Sequence, residues 1–319
     1  KPVYIDLDAD TFCINLKKLN DEDNQNIKAA IITPLYGLIP NLEKISYFLR
    51  SKKIFSILDF SHSLNAAYKQ KKITSFFDVS VYSSSSIKIL DTLGGGHVLT
   101  NDNKLFAVLK TKQESLRKPN RSALIKKAFI NLYRNLATSH PIFDLITYPL
   151  IRLMSSFSRG LVLQQTGRRD KKPITEMPSV WLSQFSSVQA KIGLSLIART
   201  KEMDFIRINN AKQLRSKIGD YHFPKTTLES KNVFWQLIVL TNDSRTFQKF
   251  CLSHGIDVAT SSLELLPNLK DYPGRVDLEI ASNLYKNACI IPCNHLLKKK
   301  EIDKISRIIK IYFDKLNLT

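Results

Sequence analysis

Lys88 stands behind four serines, Ser83 to Ser86, and ahead of Gly94 to Gly96, in the stretch SVYSSSSIKILDTLGGGHVLTND. A lysine amine that is partly desolvated has its pKa lowered and can condense with an aldehyde as a Schiff base, the linkage that holds pyridoxal phosphate. That cofactor needs a carboxylate at its pyridine nitrogen, because the protonated ring is the electron sink for a carbanion. Asp59 ends an apolar run and offers such a carboxylate, while His62, three residues on, offers a ring to bond or pack against the cofactor. The hydroxyls of Ser83 to Ser86 are donors of the kind a phosphate needs. Taken singly, each residue has an ordinary reading too: a solvated lysine, a turn or cap aspartate, a packed or surface histidine.

The elements around these residues decide whether they can meet. Val3–Leu7 reads as a strand, Ile27–Thr33 as an apolar run of strand length, and Asn41–Ser51 as a helix through Leu42, Ile45, Phe48 and Leu49. Ile54–Leu58 and Val79–Tyr82 are two further short apolar runs, ending at Asp59 and at the serines. Strands alternating with helices predict an α/β fold with a largely parallel sheet covered on both faces. Ligands of such sheets sit beyond the carboxyl ends of the strands. Asp59 and the Ser83–Lys88 loop are therefore positioned to share one site.

The unbroken run DFSHSLNAAYKQKKITSFFDVSVYSSSSIKILDTLGGGHVLTND resembles the central segment of the DegT/DnrJ/StrS family of pyridoxal-phosphate sugar aminotransferases. Asp59, His62, Tyr68, Asp78, Ser83 and Lys88 fall in that family's slots, and Gly94–Gly96 with Thr100–Asp102 match its following hairpin. KPVYIDLDADTFCINLKKL, AAIITPLYGLIPNLEKI, SSVQAKIGLSLIART, SHGIDV and IPCNHLLKKKEIDKI extend the likeness over most of the chain. The resemblance implies the fold-type-I architecture of pyridoxal-phosphate enzymes, a mainly parallel large domain and a smaller α/β C-terminal domain. It implies that Lys88 is the catalytic residue and holds the cofactor, that Asp59 pairs the pyridinium, that His62 faces the ring and that Ser83 binds phosphate. It implies an amino group moved, usually from glutamate, onto a keto sugar attached to a nucleotide, by a homodimer whose two sites share residues. Relatives with histidine in place of this lysine dehydrate sugars, so Lys88 favours transamination.

The chain also departs from the pattern. The family's Gly-Thr or Gly-Ser phosphate loop and its ring-stacking aromatic are expected upstream of Lys1, since KPVYIDLD reads as a strand with no cap before it. Leu182 and Gln184 occupy the place of an Asn-x-Arg that reaches the neighbouring subunit's site, Ile89 follows the lysine where Asn is frequent, and Pro34 stands where His is frequent. These differences keep two alternatives open: a diverged relative without transamination, such as a dehydratase or a pseudoenzyme, and a basic membrane-surface binding protein.

Composition bounds the rest. A chain of 319 residues with 48 Lys and Arg against 28 Asp and Glu carries a formal charge of +20, which attracts polyanions without choosing among them. No nucleic-acid-reading motif accompanies the charge, and nucleic acid is not an expected partner. Four scattered cysteines fit a reducing compartment and hence the cytoplasm. No apolar stretch reaches the roughly 18 residues that a spanning helix needs. Cys289 and Cys293 with His295 could be drawn as a zinc site, but they flank an apolar strand, so packed thiols and no metal are expected.

Between Lys112 and Lys172, 13 basic residues face 3 acidic ones. In this segment Leu124, Phe129, Leu132, Tyr133 and Leu136 recur at helical spacing, and Ile142–Met154 forms a second apolar run broken at Pro149. Three parts are expected: 1–112, the cofactor-binding large domain; 113–173, a basic amphipathic helical insertion; and 174–319, the linking helix and C-terminal domain. The insertion could pack on the protein or a second subunit, or dock peripherally at the inner face of the cell membrane.

Overall fold

Three short apolar segments build the parallel sheet that carries the site. In the computed structural model, residues 2–21, 26–85, 88–157, 176–178, 181–260, 263, 265 and 278–316 are described. Strand β1 (Ala29–Ile32) lies parallel to β2 (Phe55–Asp59), and β2 lies parallel to β5 (Val79–Ser83). Strand β6 (Gly96–Thr100) closes the order β1-β2-β5-β6 antiparallel to β5, with Ser83 opposite Gly96.

The crossover from β1 to β2 is helix α2 (Leu42–Ser51), whose N-cap Asn41 accepts a hydrogen bond from the Lys44 amide. Its Leu42, Ile45 and Leu49 are almost completely buried, and each side chain so buried contributes about 1.5–3 kcal/mol. The β2–β5 connection has no α-helix, only a 3₁₀ turn (Ile73–Phe76) ahead of β5. A hairpin precedes that turn, β3 (Ala67–Tyr68) with β4 (Lys71–Lys72), turned by Lys69 and Gln70 at φ 47° and 61°, the left-handed pair that a two-residue hairpin loop requires. Strand β3 also pairs with β7 (Ser230–Lys231), so the hairpin ties the N-terminal sheet to the C-terminal half.

The expected strand Val3–Leu7 does not form. Leu7 makes one antiparallel bridge to Ile14, and the Asp6 carboxylate instead accepts the Ile280 and Ala281 amides at 3.0 Å each. Those amides open helix α8 (Glu279–Asn287), where free N–H groups favour a carboxylate. Without a neighbouring strand to pair with, apolar composition alone does not make a strand.

The 32-residue helix α6 (Ser187–Ile218) runs from the site to the C-terminal core. That core packs α6 against α9 (Lys299–Leu316), α7 (Ser244–Ser253) and the antiparallel strands β8 (Leu237–Leu240), β10 (Ala288–Ile291) and β9 (Ala259–Thr260). Cys251, Cys289 and Cys293 are free thiols buried in it, the last two donating to the Ser244 and Arg207 carbonyls. The run from Ile142 is not broken at Pro149. A π-helical turn (Phe143–Thr147) leads straight into α5 (Tyr148–Phe157), and this wider turn lies directly ahead of Pro149, whose ring would clash with the carbonyl four residues back in a regular α-helix.

On α6, Asp204 and Arg207 form a buried ion pair, with Asp204 also accepting from Asn65 Nδ2 at 2.7 Å and Arg207 Nε donating to the Val233 carbonyl at 2.9 Å. Replacing Asp204 with Ala leaves the guanidinium charged and unpaired in the interior. The expected loss is about 3–5 kcal/mol of unfolding free energy, read from urea melts of both proteins.

Candidate active site

Asp59 ends β2 and is followed by a tight turn. Its Oδ1 accepts both the Ser61 amide at 3.0 Å and the Ser61 hydroxyl at 2.5 Å, and the Ser61 Oγ in turn accepts the Ser83 amide at 2.9 Å. The neighbouring strand ends are thereby joined through Ser61, and Asp59 Oδ2 has no partner among the described residues. Sequence reading passes over Ser61. Its signal was local, an Asp followed at i+2 by a residue that returns both its amide and its hydroxyl to the carboxylate.

His62 is buried, and its Nδ1 accepts the Tyr36 amide at 3.2 Å, which places the proton of the neutral ring on Nε2. Burial first, and the Lys88 charge second, lower its pKa to about 3. Tyr36 lies in the turn Leu35–Gly37 at φ 58°, and Gly37 at φ 83° presses so close to Phe234 and Trp235 that a Cβ there would meet their backbone nitrogens at 2.9 and 2.8 Å. The same turn therefore holds His62 on one side and Trp235 on the other. The Trp235 indole stacks on the His62 ring, centroids 3.9 Å apart and 21° from coplanar.

Lys88 also reaches that indole, with Nζ 4.2 Å from the ring centroid. Its pKa is lowered by burial, with the Asp59 charge acting in the opposite direction. The structure therefore brings His62 and Lys88 against one aromatic ring, with Asp59 within electrostatic reach of the amine. Trp235 is the residue that the sequence does not reveal, because it lies 147 positions beyond Lys88.

The loop carrying Lys88 is closed at its base by the Ser84 carbonyl, which accepts the Thr92 and Gly94 amides, and by the Ser84 amide donating to Gly95. Gly94 and Gly95 sit at φ 103° and 98°, where a side chain is strained. Gln189, at the N-terminus of α6, donates to the Thr92 and Gly94 carbonyls and completes a capping box with Ser186. Ser83 is half-buried and its hydroxyl points to Ser85 Oγ at 3.3 Å, a pair of hydroxyls beside the strand end; Ser86 lies outside the described residues.

Other residues singled out from the sequence serve the framework. Tyr68 is packed in the core, and Asp78 accepts the Ser56 amide and hydroxyl at the start of β2. Gln184 bonds the carbonyls of Glu114 and Arg117, which latches its segment to the end of α3 (Asn103–Ser115), and Leu182 is exposed. A cleft of about 600 Å³ lined by Lys212, Arg215, Asn232 and Phe234 contains none of Asp59, His62, Ser83 or Lys88. The site is thus marked by its chemistry and not by cavity size.

A sequence model described as the DegT/DnrJ/EryC1/StrS aminotransferase family matches residues 1–127 and 157–310. The chain belongs to that family. Among curated relatives it is 30% identical over 105 residues to GDP-perosamine synthase of Escherichia coli O157:H7, covering 33% of this chain and 29% of that protein. It is 31% identical over 111 residues to UDP-2-acetamido-2-deoxy-3-oxo-D-glucuronate aminotransferase of Pseudomonas aeruginosa, covering 34% of this chain and 31% of that protein. The matched segments thus span less than a third of these relatives. Solved structures share the fold: the aminotransferase TlmJ of Streptoalloteichus hindustanus at TM-score 0.72, 14% identity and coverage of 99% of this chain and 74% of that one. PseC of Helicobacter pylori, an aminotransferase of pseudoaminic acid biosynthesis, superposes at TM-score 0.67 and 18% identity over 99% and 74%. The architecture is that of the fold-type-I pyridoxal-phosphate aminotransferases.

The His62 environment has a measurable consequence. The unfolded chain takes up a proton on this histidine near its ordinary value of 6.5, whereas the folded site refuses it until about 3. Stability from this group is therefore complete above about pH 6.5 and is lost progressively as the pH falls towards 3. A His62→Gln protein should show a shallower decline over that window, by an amount on the order of a few kcal/mol at its acid end, in denaturant titrations across pH.

Proposed function

We propose that the full-length protein is a pyridoxal-phosphate-dependent aminotransferase that places an amino group on a keto sugar carried by a nucleotide, for the assembly of a surface polysaccharide or other glycan. The observation that carries this reading is the partly desolvated Lys88 amine, within electrostatic reach of the Asp59 carboxylate and beside a neutral, buried His62. The names of the relatives, a GDP-perosamine synthase and a UDP-sugar aminotransferase, support the substrate class.

The residues fit the cofactor. Asp59 has one oxygen fixed by Ser61 and one without a partner among the described residues, a carboxylate oriented to hold a positive ring nitrogen. His62 is neutral at working pH and offers a ring face without competing charge. Ser83 and Ser85 supply hydroxyl donors for phosphate. Lys88, with its pKa lowered, is a better nucleophile than a solvated lysine and is suited to carry a proton to and from the substrate carbon. Pyridoxal phosphate itself supplies the electron sink that makes that proton transfer feasible.

Glutamate is the proposed amino donor, and a homodimer in the cytoplasm is the proposed working form. Phe106 on α3 and Leu194 and Phe205 on α6 are 57%, 72% and 66% exposed within the part that matches the family, which supports a second subunit covering them. Residues 1–112 would form part of the cofactor-binding domain, 113–173 the insertion, and 174–319 the linking helix and C-terminal domain.

One observation favours the alternative of a relative that has lost efficient catalysis: the Trp235 indole already packs against both the His62 ring and the Lys88 amine. Cofactor loading of the full-length protein separates the two. Purified protein should show the visible band of bound pyridoxal phosphate, lose it in Lys88→Ala, and convert it on adding glutamate, with turnover in the variant lower by about 10²–10⁴-fold or more. A band without a glutamate half-reaction would select the diverged relative. Because the indole stacks on the His62 ring, the face proposed here for the pyridine ring, Trp235→Ala should bind the cofactor roughly tenfold more tightly, the size of the stacking and cation–π contacts removed. Weaker binding on equilibrium titration would instead make Trp235 a stacking partner.

A further inference from the structure

Helix α4 (Arg121–Ala137) presents its faces in the reverse of the usual order. With 3.6 residues per turn, Ile125, Phe129, Leu132 and Leu136 form one stripe, and they are 56%, 66%, 55% and 51% exposed. The opposite side of the same helix meets the protein, and it does so with polar groups. Asn131 Nδ2 donates to Asp91 Oδ2 at 2.8 Å, Arg134 pairs with the same carboxylate at 3.6 Å, and Lys127 Nζ lies beside Gly94. The element that follows repeats the arrangement. Tyr148 donates to the Leu252 carbonyl and His140 contacts Glu301, while Ile146, Leu150 and Leu153, also at helical spacing, are 55%, 51% and 56% exposed.

A surface helix normally buries its apolar stripe against the core and leaves its polar face to water. Here polar contacts fix the helix and the stripe is uncovered by any described residue. The family offers no shared explanation, since the match to its sequence model passes from residue 127 to residue 157 and leaves out Phe129, Leu132, Leu136 and all of α5 but Phe157. What covers the stripe is therefore a property of this chain and not the family's common subunit contact.

We propose that this face docks on an anionic lipid surface, with the two apolar stripes entering the acyl boundary and cations meeting the headgroups. The charge selects lipid over a second apolar protein face. Arg121 borders the stripe at its start and Lys126 flanks it, neither having an acidic partner among the described residues, and the chain as a whole carries +20. Two copies of so basic a face would repel each other. No helix among the described residues is long and apolar enough to cross a membrane, so the contact is peripheral. This inference does not rest on the reaction proposed above.

Flotation of the full-length protein with phosphatidylglycerol-containing vesicles, and with pure phosphatidylcholine vesicles, is the test. Wild-type protein should float with the anionic vesicles at low salt and far less with the neutral ones. The charge variant Arg121→Glu with Lys126→Glu should bind at least about fivefold more weakly per charge altered, and added salt should have the same direction of effect. The apolar variant Phe129→Glu with Leu132→Glu alters only exposed side chains, so its thermal melt should match the wild type while its flotation is lost even at low salt. Wild-type protein that stays at the bottom of the gradient overturns the proposal, as does an apolar variant that floats like the wild type. A change of mass of that variant by light scattering, without any loss of flotation in the charge variant, would assign the stripe to a subunit contact and likewise overturn it.

Discussion

The buried Asp204–Arg207 pair is the constraint from which the arrangement of the site follows. Asp204 is bonded to Asn65, three residues beyond His62, and Arg207 to the carbonyl of Val233, two residues before Trp235. One turn of α6 thus anchors the two segments whose rings stack. Burying both charges costs several kcal/mol in desolvation, which their attraction and hydrogen bonds offset without a large surplus. The return is positional, because neither segment can shift by a fraction of a hydrogen bond without exposing an unpaired charge to the interior. The other end of α6 does the same for the lysine: Gln189 bonds the Thr92 and Gly94 carbonyls at the base of the Lys88 loop. A single helix therefore sets the distance between the histidine wall and the amine.

Within that frame the electrostatics are ordered by burial. Desolvation is the larger effect on Lys88 and the Asp59 charge the smaller opposing one, so the amine sits below its ordinary pKa in spite of a carboxylate nearby. His62 experiences desolvation and the lysine charge in the same direction, and it stays neutral throughout the physiological range. The consequence is a site with one titratable cation, one carboxylate and one uncharged ring. Groups whose environments push their protonation apart in this way are those to which acid, base and binding roles can be given separately.

The parts legible in the sequence are those whose cause is local. The apolar runs Ile27–Thr33, Ile54–Leu58 and Val79–Tyr82 contain or overlap β1, β2 and β5, and the spacing of Leu42, Ile45 and Leu49 marks α2, because burial on one face is written directly into residue type. That Asp59 and the loop carrying Lys88 come near each other was legible from the strand ends they follow. Val3–Leu7 has the composition of a strand but no edge to pair with, and pairing is a tertiary fact. Ser61 was hidden in a turn, and Trp235 could not be found from spacing, since it is carried in from another part of the chain by the Leu35–Gly37 turn and by Arg207. Long-range placement thus decided Val3–Leu7 and Trp235, whereas Ser61 was overlooked in a local turn.

Helices α4 and α5 show the opposite relation between pattern and placement. Their helical periodicity was plain in the sequence, but periodicity states only that one stripe is apolar, not which way it faces. Asp91 settles the direction. A carboxylate on the protein body takes Asn131 and Arg134, and a rigid helix held by those two residues must turn Phe129, Leu132 and Leu136 away. Each of these would contribute about 1.5–3 kcal/mol if buried, far more than a half-exposed ion pair contributes, so a helix free to rotate would choose the other orientation. Among the described residues nothing repays that loss, and most of the stripe falls between the two parts of the chain that the family model matches.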